Sequence, residues 1–195
     1  MFRLLNVSEA AVKMAIDFRA RIKTISFGMN YGMKENKLGR DLGISKEEAK
    51  ELMEEYMGTY PAVQRFYAEA IAETEETGFS YSIIGRRRFH PEILSGNQYD
   101  RWSAQRQCVN NQIQGGAADV VRFAQLMIDA AGLEERFGCK MLLQVHDELV
   151  FECPKEATQE VKPIIRQLME HPFLTDFAVP LEVSMSHGPS WMHAK

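Results

Sequence analysis

The sequence predicts an α+β fold in which a cluster of helices precedes a region with an antiparallel sheet flanked by helices. Apolar residues recur three and four positions apart through the first eighty residues, which is the spacing of amphipathic helices. Two short apolar runs, KMLLQV at 140–145 and ELVFEC at 148–153, then lie on either side of a turn and predict a hairpin. The alternation of apolar and polar residues at 181–186 predicts a final half-buried strand.

Composition is typical of a globular protein, because 45% of the 195 residues are hydrophobic and 26% are charged. No apolar run approaches the length of a membrane span, and the N-terminus lacks the features of a signal peptide, so we expect no membrane association. The three cysteines form no C-x-x-C pair, and the five histidines show no metal-ligand spacing. This pattern favours free thiols in a reducing cytoplasm over disulfides or a zinc site.

The formal net charge of −4 argues weakly against nucleic-acid binding, but the basic residues are not spread evenly. They gather in two groups, Arg19, Arg21 and Lys23, and Arg86, Arg87, Arg88, Arg101 and Arg106. Local basic patches on an acidic protein suit a polyanion bound at one defined surface.

Helix boundaries in the first part follow from capping residues. A helix over 8–17 has Ser8 as a candidate N-cap, and a short amphipathic segment at 34–42 is stopped by Gly43. Ser45 and Glu48 have the spacing of a capping box at the start of the next helix. Pro61 predicts the first turn of another helix, which Gly78 ends.

The pattern changes after Gly78. Residues 79–93 predict an extended segment or hairpin around Gly85, and residues 98–113 return to helical composition. Gly115-Gly116 predicts a break or bend before a long helix with its apolar face at 120–131. A further helix is expected at 155–171.

The stretch 19–32, RARIKTISFGMNYG, carries four notable residues at four-residue spacing: Arg19, Lys23, Phe27 and Tyr31. On a helix they lie one above the other, so two cations are followed by two aromatic rings. Ile22, Ile25 and Met29 occupy another face that would anchor the helix to a core, and Gly32 suits the helix end. Charge for phosphates and a ring for a base predict a nucleoside-triphosphate site. The alternative is that the stripe has no binding role: its two cations lie on a solvent-exposed face, and its two aromatic rings pack in a core.

Asp147 lies where the two apolar runs turn, between His146 and Glu148. A hairpin apex holds a carboxylate outward on a rigid support, as a metal ligand requires. The alternative is that Asp147 only stabilises the turn, because aspartate is common at hairpin turns.

The string R-x-x-x-K-x-x-x-F-x-x-x-Y-G closely resembles motif B, the nucleotide-binding helix of family A DNA polymerases, and QVHDELVFECPKE resembles their motif C hairpin at 140–153. GRRRF at 85–89 resembles the segment after the fingers, and RQCVNNQIQGGAAD contains the family's R-x-x-x-N-x-x-x-Q-G run. The C-terminal PLEVSMSHGPSWMHAK resembles the closing strand with its near-terminal Trp. The resemblance covers nearly the whole chain after about Val12.

The resemblance implies a right-hand polymerase fragment, with a fingers subdomain at 1–95 and a palm subdomain at 96–195, that adds dNTPs to a primer 3′ end. The implied nucleotide-binding residues are Arg19, Lys23, Phe27, Tyr31 and Gly32. The implied primer–template contacts are Arg86, Arg87, Arg88, Arg106, Asn110, Gln114 and His146. Asp147, Lys23 and Glu148 would be catalytic, and Asp147 would bind Mg²⁺ in a two-ion site.

The family's motif A, D-Y-S-x-I-E, precedes motif B and supplies the other metal-ligating aspartate. Nothing before Arg19 matches it, since Asp17 is the only aspartate there and lies on the helical approach to motif B. We therefore expect a C-terminal fingers-and-palm fragment, inactive without an N-terminal segment or subunit that carries motif A, in a bacterial or phage-infected cell. A piece of a longer protein, a split-gene product and a degenerate copy all fit this expectation. A non-catalytic module that binds primer–template or a partner subunit is the rival function.

Overall fold

The computed structural model describes residues 9–30, 32–173 and 177–194, and only the backbone at 9–17 and 30. Four helices come first: α1 (Glu9–Asn30), α2 (Glu35–Leu42), α3 (Lys46–Thr59) and α4 (Pro61–Thr77). A small hairpin, β1 (Phe79–Tyr81) and β2 (Arg87–Phe89), is followed by a 3₁₀ turn (Pro91–Leu94) and the long helix α5 (Gln98–Ala130). The remaining elements are α6 (Leu133–Phe137), β3 (Lys140–Val145), β4 (Glu148–Glu152), α7 (Thr158–Glu170) and a 3₁₀ turn (Trp191–His193).

The chain forms two compact units, Met1–Ile113 and Gln114–Lys195. Each contains helices and one small antiparallel sheet, so the expected α+β class is confirmed. The boundary between the two units falls within α5, and the assignment of a fingers subdomain to 1–95 and a palm subdomain to 96–195 stays a prediction. No helix among the described residues is both long and apolar enough to cross a membrane.

The predicted helix ends in the first unit are confirmed by their capping geometry. Ser45 and Glu48 form a reciprocal capping box, in which the Ser45 hydroxyl accepts from the Glu48 N–H at 3.1 Å. The same contacts hold the pKa of Glu48 below its ordinary value, first through the Ser45 backbone N–H and then through its hydroxyl. Gly43 and Gly78 end α2 and α4 with φ values of 68° and 78°, where a side chain is strained. Ser8, the candidate N-cap of α1, lies outside the described residues.

The core beside α1 is built from one face of that helix. Ile25 and Met29 are buried against Leu38 of α2 and Ala49 of α3. Ile22, which we expected on this buried face, is 44% exposed. It lies seven residues before Met29, on nearly the same face of α1 but about two turns nearer the start of the helix, and the cluster around Leu38 and Ala49 does not include it.

A buried polar network fixes the β1–β2 hairpin. Ser80 pairs with Arg88 in the strand register, and its hydroxyl lies 2.8 Å from Nε2 of His90. Asn111 of α5 donates from Nδ2 to the same hydroxyl at 2.8 Å. Ser80 and His90 are 0% and 2% exposed, so these hydrogen bonds satisfy groups that water does not reach.

We expect acid to destabilise the fold through His90. Burial lowers the pKa of His90, the Arg88 charge lowers it further, and Glu92 opposes the shift. The unfolded chain therefore binds this proton more readily than the folded chain, so the stabilisation is complete above about pH 6.5 and is lost as the pH falls below that value. The melting temperature should fall by a few degrees between pH 7.5 and 5.5, measured by circular dichroism.

His90→Gln is the matched variant, because its amide can still bond Ser80 but does not titrate. The other four histidines are exposed and are retained in both proteins. An equal loss of melting temperature in the wild-type chain and in His90→Gln would contradict the assignment.

The chain has no break at Gly115-Gly116, because α5 is continuous from Gln98 to Ala130, while a bend there stays a prediction. Two interior glycines cost about 2 kcal/mol relative to alanine. Packing on both sides offsets this: Cys108 and Val109 are buried in the first unit, and Ala124 and Ile128 in the second. Helices in proteins depend more on such burial than on intrinsic propensity.

The core of the second unit lies between α7 and the β3–β4 hairpin. Its fully buried members are Ile128, Leu133, Cys139, Val161 and Ile165. Leu149 and Phe151 of β4 pack against this cluster. A bulge between Met141 and Leu143 interrupts the ladder, and the strands then pair through to Val145 and Glu148.

The predicted strand at 181–186 is not formed. The expected alternation is present, since Leu181, Val183 and Met185 are half-buried and the residues between them are exposed. The Val183 N–H donates to Oε1 of Glu170 on α7 at 3.0 Å and so bonds a side chain instead of a neighbouring strand. A strand needs a backbone partner as well as an apolar face, and in the described parts of the chain β3 and β4 pair only with each other.

Candidate active site

The stripe on α1 is exposed as the sequence predicts. Arg19, Lys23 and Phe27 all face solvent, and Phe27 is 49% exposed although it is a large apolar ring. The Lys23 Nζ lies 5.5 Å from the centre of the Phe27 ring, within cation–π range. Tyr31, the fourth residue of the stripe, lies outside the described residues. The outward face of α1 thus combines two cations with an aromatic plane that is not part of the core.

The end of α1 brings a further predicted residue to this region. The Met33 N–H donates to the Gly28 carbonyl and the Gly32 N–H to the Met29 carbonyl, at 2.8 and 3.0 Å, which forms a Schellman motif. Gly32 has a φ of 64°, and a Cβ there would lie 2.6 Å from Cδ of Arg106. A larger residue at position 32 would therefore strain the backbone and require the Arg106 side chain to shift.

A cavity of about 190 Å³ lies beside this turn and is lined by Gly32, Lys34, Tyr67, Trp102 and Arg106 among others. The Lys34 Nζ lies 4.1 Å from the centre of the Trp102 ring. Burial raises the pKa of Tyr67 to about 12, with a smaller contribution from Tyr56, so its hydroxyl stays neutral at physiological pH. Sequence reasoning missed Lys34 and Trp102, because residues 68 positions apart give no local signal of contact.

The three consecutive arginines lie on the turn and strand of the first hairpin, and all are exposed. The Arg87 guanidinium lies 5.1 Å from the centre of the Phe79 ring. Arg88 donates from Nη2 to Oε1 of Gln107 at 2.7 Å. Gln107, which the sequence analysis did not single out, therefore positions Arg88 from α5. Exposed guanidinium groups held in this way are suited to phosphate contacts.

Arg106, Asn110 and Gln114 follow one another at four-residue spacing on α5. Arg106 and Gln114 are exposed and Asn110 is half-buried, and their roles in DNA contact stay a prediction. Arg106 and Asn110 belong to the first unit, and Gln114 is the first residue of the second.

The apex of the β3–β4 hairpin is a two-residue turn, because Val145 and Glu148 pair directly across it. His146 occupies the first turn position with a φ of 55°, and it is the only non-glycine residue with positive φ in the described chain. Such a conformation is uncommon for a residue with a side chain, and two-residue hairpin turns require it at their first position. Asp147 and Glu148 are exposed beside it.

Two glutamines that sequence reasoning missed support this turn. Gln144 donates from Nε2 to the His146 carbonyl at 2.7 Å, and Gln125 of α5 donates to Oε1 of Gln144 at 3.2 Å. The strained turn is therefore linked to the long helix by side-chain hydrogen bonds. Gln144 is an exposed polar residue on a strand, and nothing in the local sequence distinguishes it from other such residues.

Asp147 and Glu148 present oxygen donors of the kind that Mg²⁺ prefers, so the hairpin apex fits part of a magnesium site. Among the described residues, no group of three or more histidine, cysteine, aspartate or glutamate side chains is placed to hold a metal ion. The ligands that the described chain offers at the hairpin are therefore two adjacent carboxylates.

Comparison with known proteins gives a consistent result. The sequence profile described as DNA polymerase family A matches residues 3–193. DNA polymerase I of Treponema pallidum is 39% identical over 188 residues, and that of Bacillus subtilis is 36% identical over 177 residues. These alignments cover 96% and 91% of this chain but only 18% and 20% of the relatives, so the chain spans about a fifth of their length.

The fold also agrees with a solved structure, the POL domain of Pol1 from M. smegmatis in complex with DNA primer-template and dNTP. It superposes with a TM-score of 0.84 at 35% sequence identity, covering 97% of this chain and 32% of that one. The match confirms the polymerase-domain fold that the sequence motifs imply. A profile that spans almost the whole chain, together with these relatives, leads to one conclusion: the chain belongs to DNA polymerase family A.

Proposed function

We propose that this chain is part of a DNA-directed DNA polymerase that adds dNTPs to the 3′ end of a primer on a template. The observation that carries the proposal is the exposed stripe of Arg19, Lys23 and Phe27 on α1. A protein that only clamps DNA needs cations, but it does not need a solvent-exposed ring 5.5 Å from one of them. The relatives named DNA polymerase I and the neighbour bound to primer-template and dNTP support this function.

In this proposal, the residues of the first unit bind the nucleotide and grip DNA. Arg19 and Lys23 contact the triphosphate, and Phe27 and Tyr31 line the nascent base pair. Gly32 permits the sharp turn against Arg106. The DNA contacts divide into two sets. The hairpin arginines, Arg86, Arg87 and Arg88, hold backbone phosphates, whereas Arg106 and Gln114, supported by Asn110, contact the primer–template near the new pair.

In this proposal, the hairpin of the second unit provides carboxylate ligands for the metal ions. Asp147 is proposed as a ligand of catalytic Mg²⁺, with Glu148 as a secondary carboxylate and His146 near the primer terminus. When bound, two such ions would stabilise the attacking and leaving oxygens of the phosphoryl transfer. The contribution of the protein is to hold the Asp147 carboxylate outward on a turn that Gln144 and Gln125 brace.

We further propose that an N-terminal segment or subunit carrying the family's motif A supplies the second metal-ligating aspartate. The support is that the described residues offer two adjacent carboxylates at the hairpin and no group of three or more side chains placed to hold a metal ion. One hairpin carboxylate pair leaves the oxygen coordination of two hard cations incomplete. A cytoplasmic site of action also belongs to this proposal.

A primer-extension experiment tests the function. The purified chain should show no appreciable Mg²⁺-dependent extension alone, because its ion site lacks a carboxylate. Addition of a polypeptide that contains motif A should restore extension of a labelled primer, measured by denaturing gel electrophoresis. The matched control is the same polypeptide with the motif A aspartate replaced by asparagine.

Two outcomes would contradict the proposal in different ways. Strong extension by the chain alone, in a preparation free of host polymerase, would show that the second carboxylate is not required. Binding of primer–template without extension in the presence of intact motif A would favour the non-catalytic module instead.

A further inference from the structure

Two cysteines face each other at the open end of the β3–β4 hairpin, far along the strands from Asp147. The ladder ends with the pair Lys140 and Glu152, so Cys139 and Cys153 are the next residues in the same register. One position further, a Cβ on Gly138 would lie 3.3 Å from Cγ of Pro154, so the two chain segments are still close beyond the cysteines.

The strand register places the two cysteines at a separation that suits a disulfide. The Cys139 N–H donates to the Leu133 carbonyl of α6 at 3.2 Å and therefore not to Cys153. Opposite Cα atoms in antiparallel strands are about 5.5 Å apart in hydrogen-bonded pairs and about 4.5 Å apart in the others. Disulfides need a Cα separation of roughly 4.4–6.8 Å, and both values lie within that range.

The two thiols differ in access. Cys139 is 3% exposed, whereas Cys153 is half-buried and packs against the cluster that contains Cys139. Burial raises the pKa of the Cys139 thiol to about 12, and the neighbouring Cys153 thiol raises it further. Cys153 is therefore the thiol that an external oxidant meets, and Cys139 is the one placed to react second.

We propose that Cys139 and Cys153 form an oxidative cross-linking site, reduced at rest and converted by peroxides into an intramolecular disulfide. The Cys153 thiolate attacks one oxygen of hydrogen peroxide, an S–O bond forms as the O–O bond breaks, and the products are the Cys153 sulfenic acid and hydroxide. The Cys139 sulfur then attacks the Cys153 sulfur, forms the S–S bond and releases water. Overall the two thiols lose two electrons and two protons, and one peroxide becomes two water molecules.

The product ties together the ends of the strands that carry His146 and Asp147, so the register of the hairpin can no longer change.

Peptide mapping of the folded, full-length chain tests the proposal. The chain is treated with hydrogen peroxide, free thiols are blocked with N-ethylmaleimide, and trypsin cuts after Lys140, between the cysteines. A disulfide then appears as peptide 137–140 joined to peptide 141–155, with a mass about 2 Da below the sum of the two reduced peptides. Cross-linking should be roughly tenfold or more faster in the native chain than in urea, because only the fold aligns the thiols.

Cys108 provides an internal control, because it is 0% exposed in the first unit and should remain reduced while the cross-link forms. Cys108→Ala should leave the reaction unchanged. Cys139→Ala should stop at the Cys153 sulfenic acid, which a dimedone probe labels.

The proposal is overturned by any of three results in the wild-type chain: accumulation of Cys153 sulfinic acid without the cross-link, equal rates in urea, or mainly intermolecular disulfides. These wild-type measurements decide the matter even where a variant folds poorly. None of the readouts depends on polymerase activity, so failure here leaves the proposed function untouched.

Discussion

Asp147→Asn should reduce single-turnover primer extension by about 10³-fold or more in the complex with a motif A polypeptide, which corresponds to roughly 4 kcal/mol of lost transition-state stabilisation. The carboxylate is proposed to hold a divalent ion, and a neutral amide binds such an ion much more weakly. Asparagine is nearly the same size and is equally common in turns, so the hairpin should keep its conformation.

The fold and DNA affinity of this variant should change little. Asp147 is exposed at the hairpin apex, and substitutions at exposed positions usually alter stability by less than about 0.5 kcal/mol. Primer–template affinity should stay the same or rise slightly, because a negative charge is removed from a surface that meets phosphates. Rapid-quench measurements at saturating DNA separate this chemical loss from any change in binding.

Glu152→Gln is the matched control. Glu152 is also an exposed carboxylate of the same hairpin, but it lies at the open end, opposite Lys140. Its extension rate should remain close to that of the wild-type chain. If Asp147→Asn and Glu152→Gln had equal rates, Asp147 would not be a metal ligand in this reaction.

The sequence was sufficient for features that depend on neighbouring residues. The capping box of Ser45 and Glu48, the glycine ends of α2 and α4 and the two-residue turn at His146-Asp147 each follow from local chemistry, and each is present. The exposure of Lys23 and Phe27 also follows from helical spacing, because Ile25 and Met29 occupy the opposite face.

Features that depend on distant partners could not be predicted in the same way. The Gly115-Gly116 pair locally favours a break, but burial of Ala124 and Ile128 keeps α5 continuous. The alternation at 181–186 is correct for burial, yet it carries no information about whether a backbone partner is present. The side chains that brace the site, Gln107, Gln125 and Gln144, form contacts at separations of 19 residues and give no local pattern.

Lys23→Ala should lower kcat/KM for dNTPs by roughly 10²–10³-fold in the reconstituted complex, while primer–template affinity changes little. The Lys23 ammonium is proposed to meet phosphate oxygens whose negative charge grows as the leaving group departs, so it acts mainly in the transition state. Alanine has the highest helix propensity and Lys23 is exposed, so α1 should not be destabilised.

Arg21→Ala is the matched control for charge on the same helix. Arg21 is exposed, but it lies two residues from Lys23 and therefore about 160° away around the helix axis. Loss of this charge should affect kcat/KM only through weak long-range attraction, which about 0.15 M salt screens beyond roughly 8 Å. A loss equal to that of Lys23→Ala would mean that the general positive charge of α1 matters and not the position of one ammonium.

Arg88→Ala should weaken DNA binding more than it lowers kcat/KM for dNTPs, which is the opposite of Lys23→Ala. The reason is that contacts to DNA phosphates act through the release of counterions. Primer–template binding should weaken, and the slope of log K against log salt should become shallower by about one unit. Gln107 accepts a hydrogen bond from Arg88 and so holds its guanidinium in place. Gln107→Ala should therefore weaken primer–template binding in part, but it should leave the salt slope unchanged because no charge is removed. If Lys23→Ala lowered the salt slope and left kcat/KM unchanged, Lys23 would be a DNA-backbone contact, and the stripe on α1 would lose its assignment as a triphosphate site.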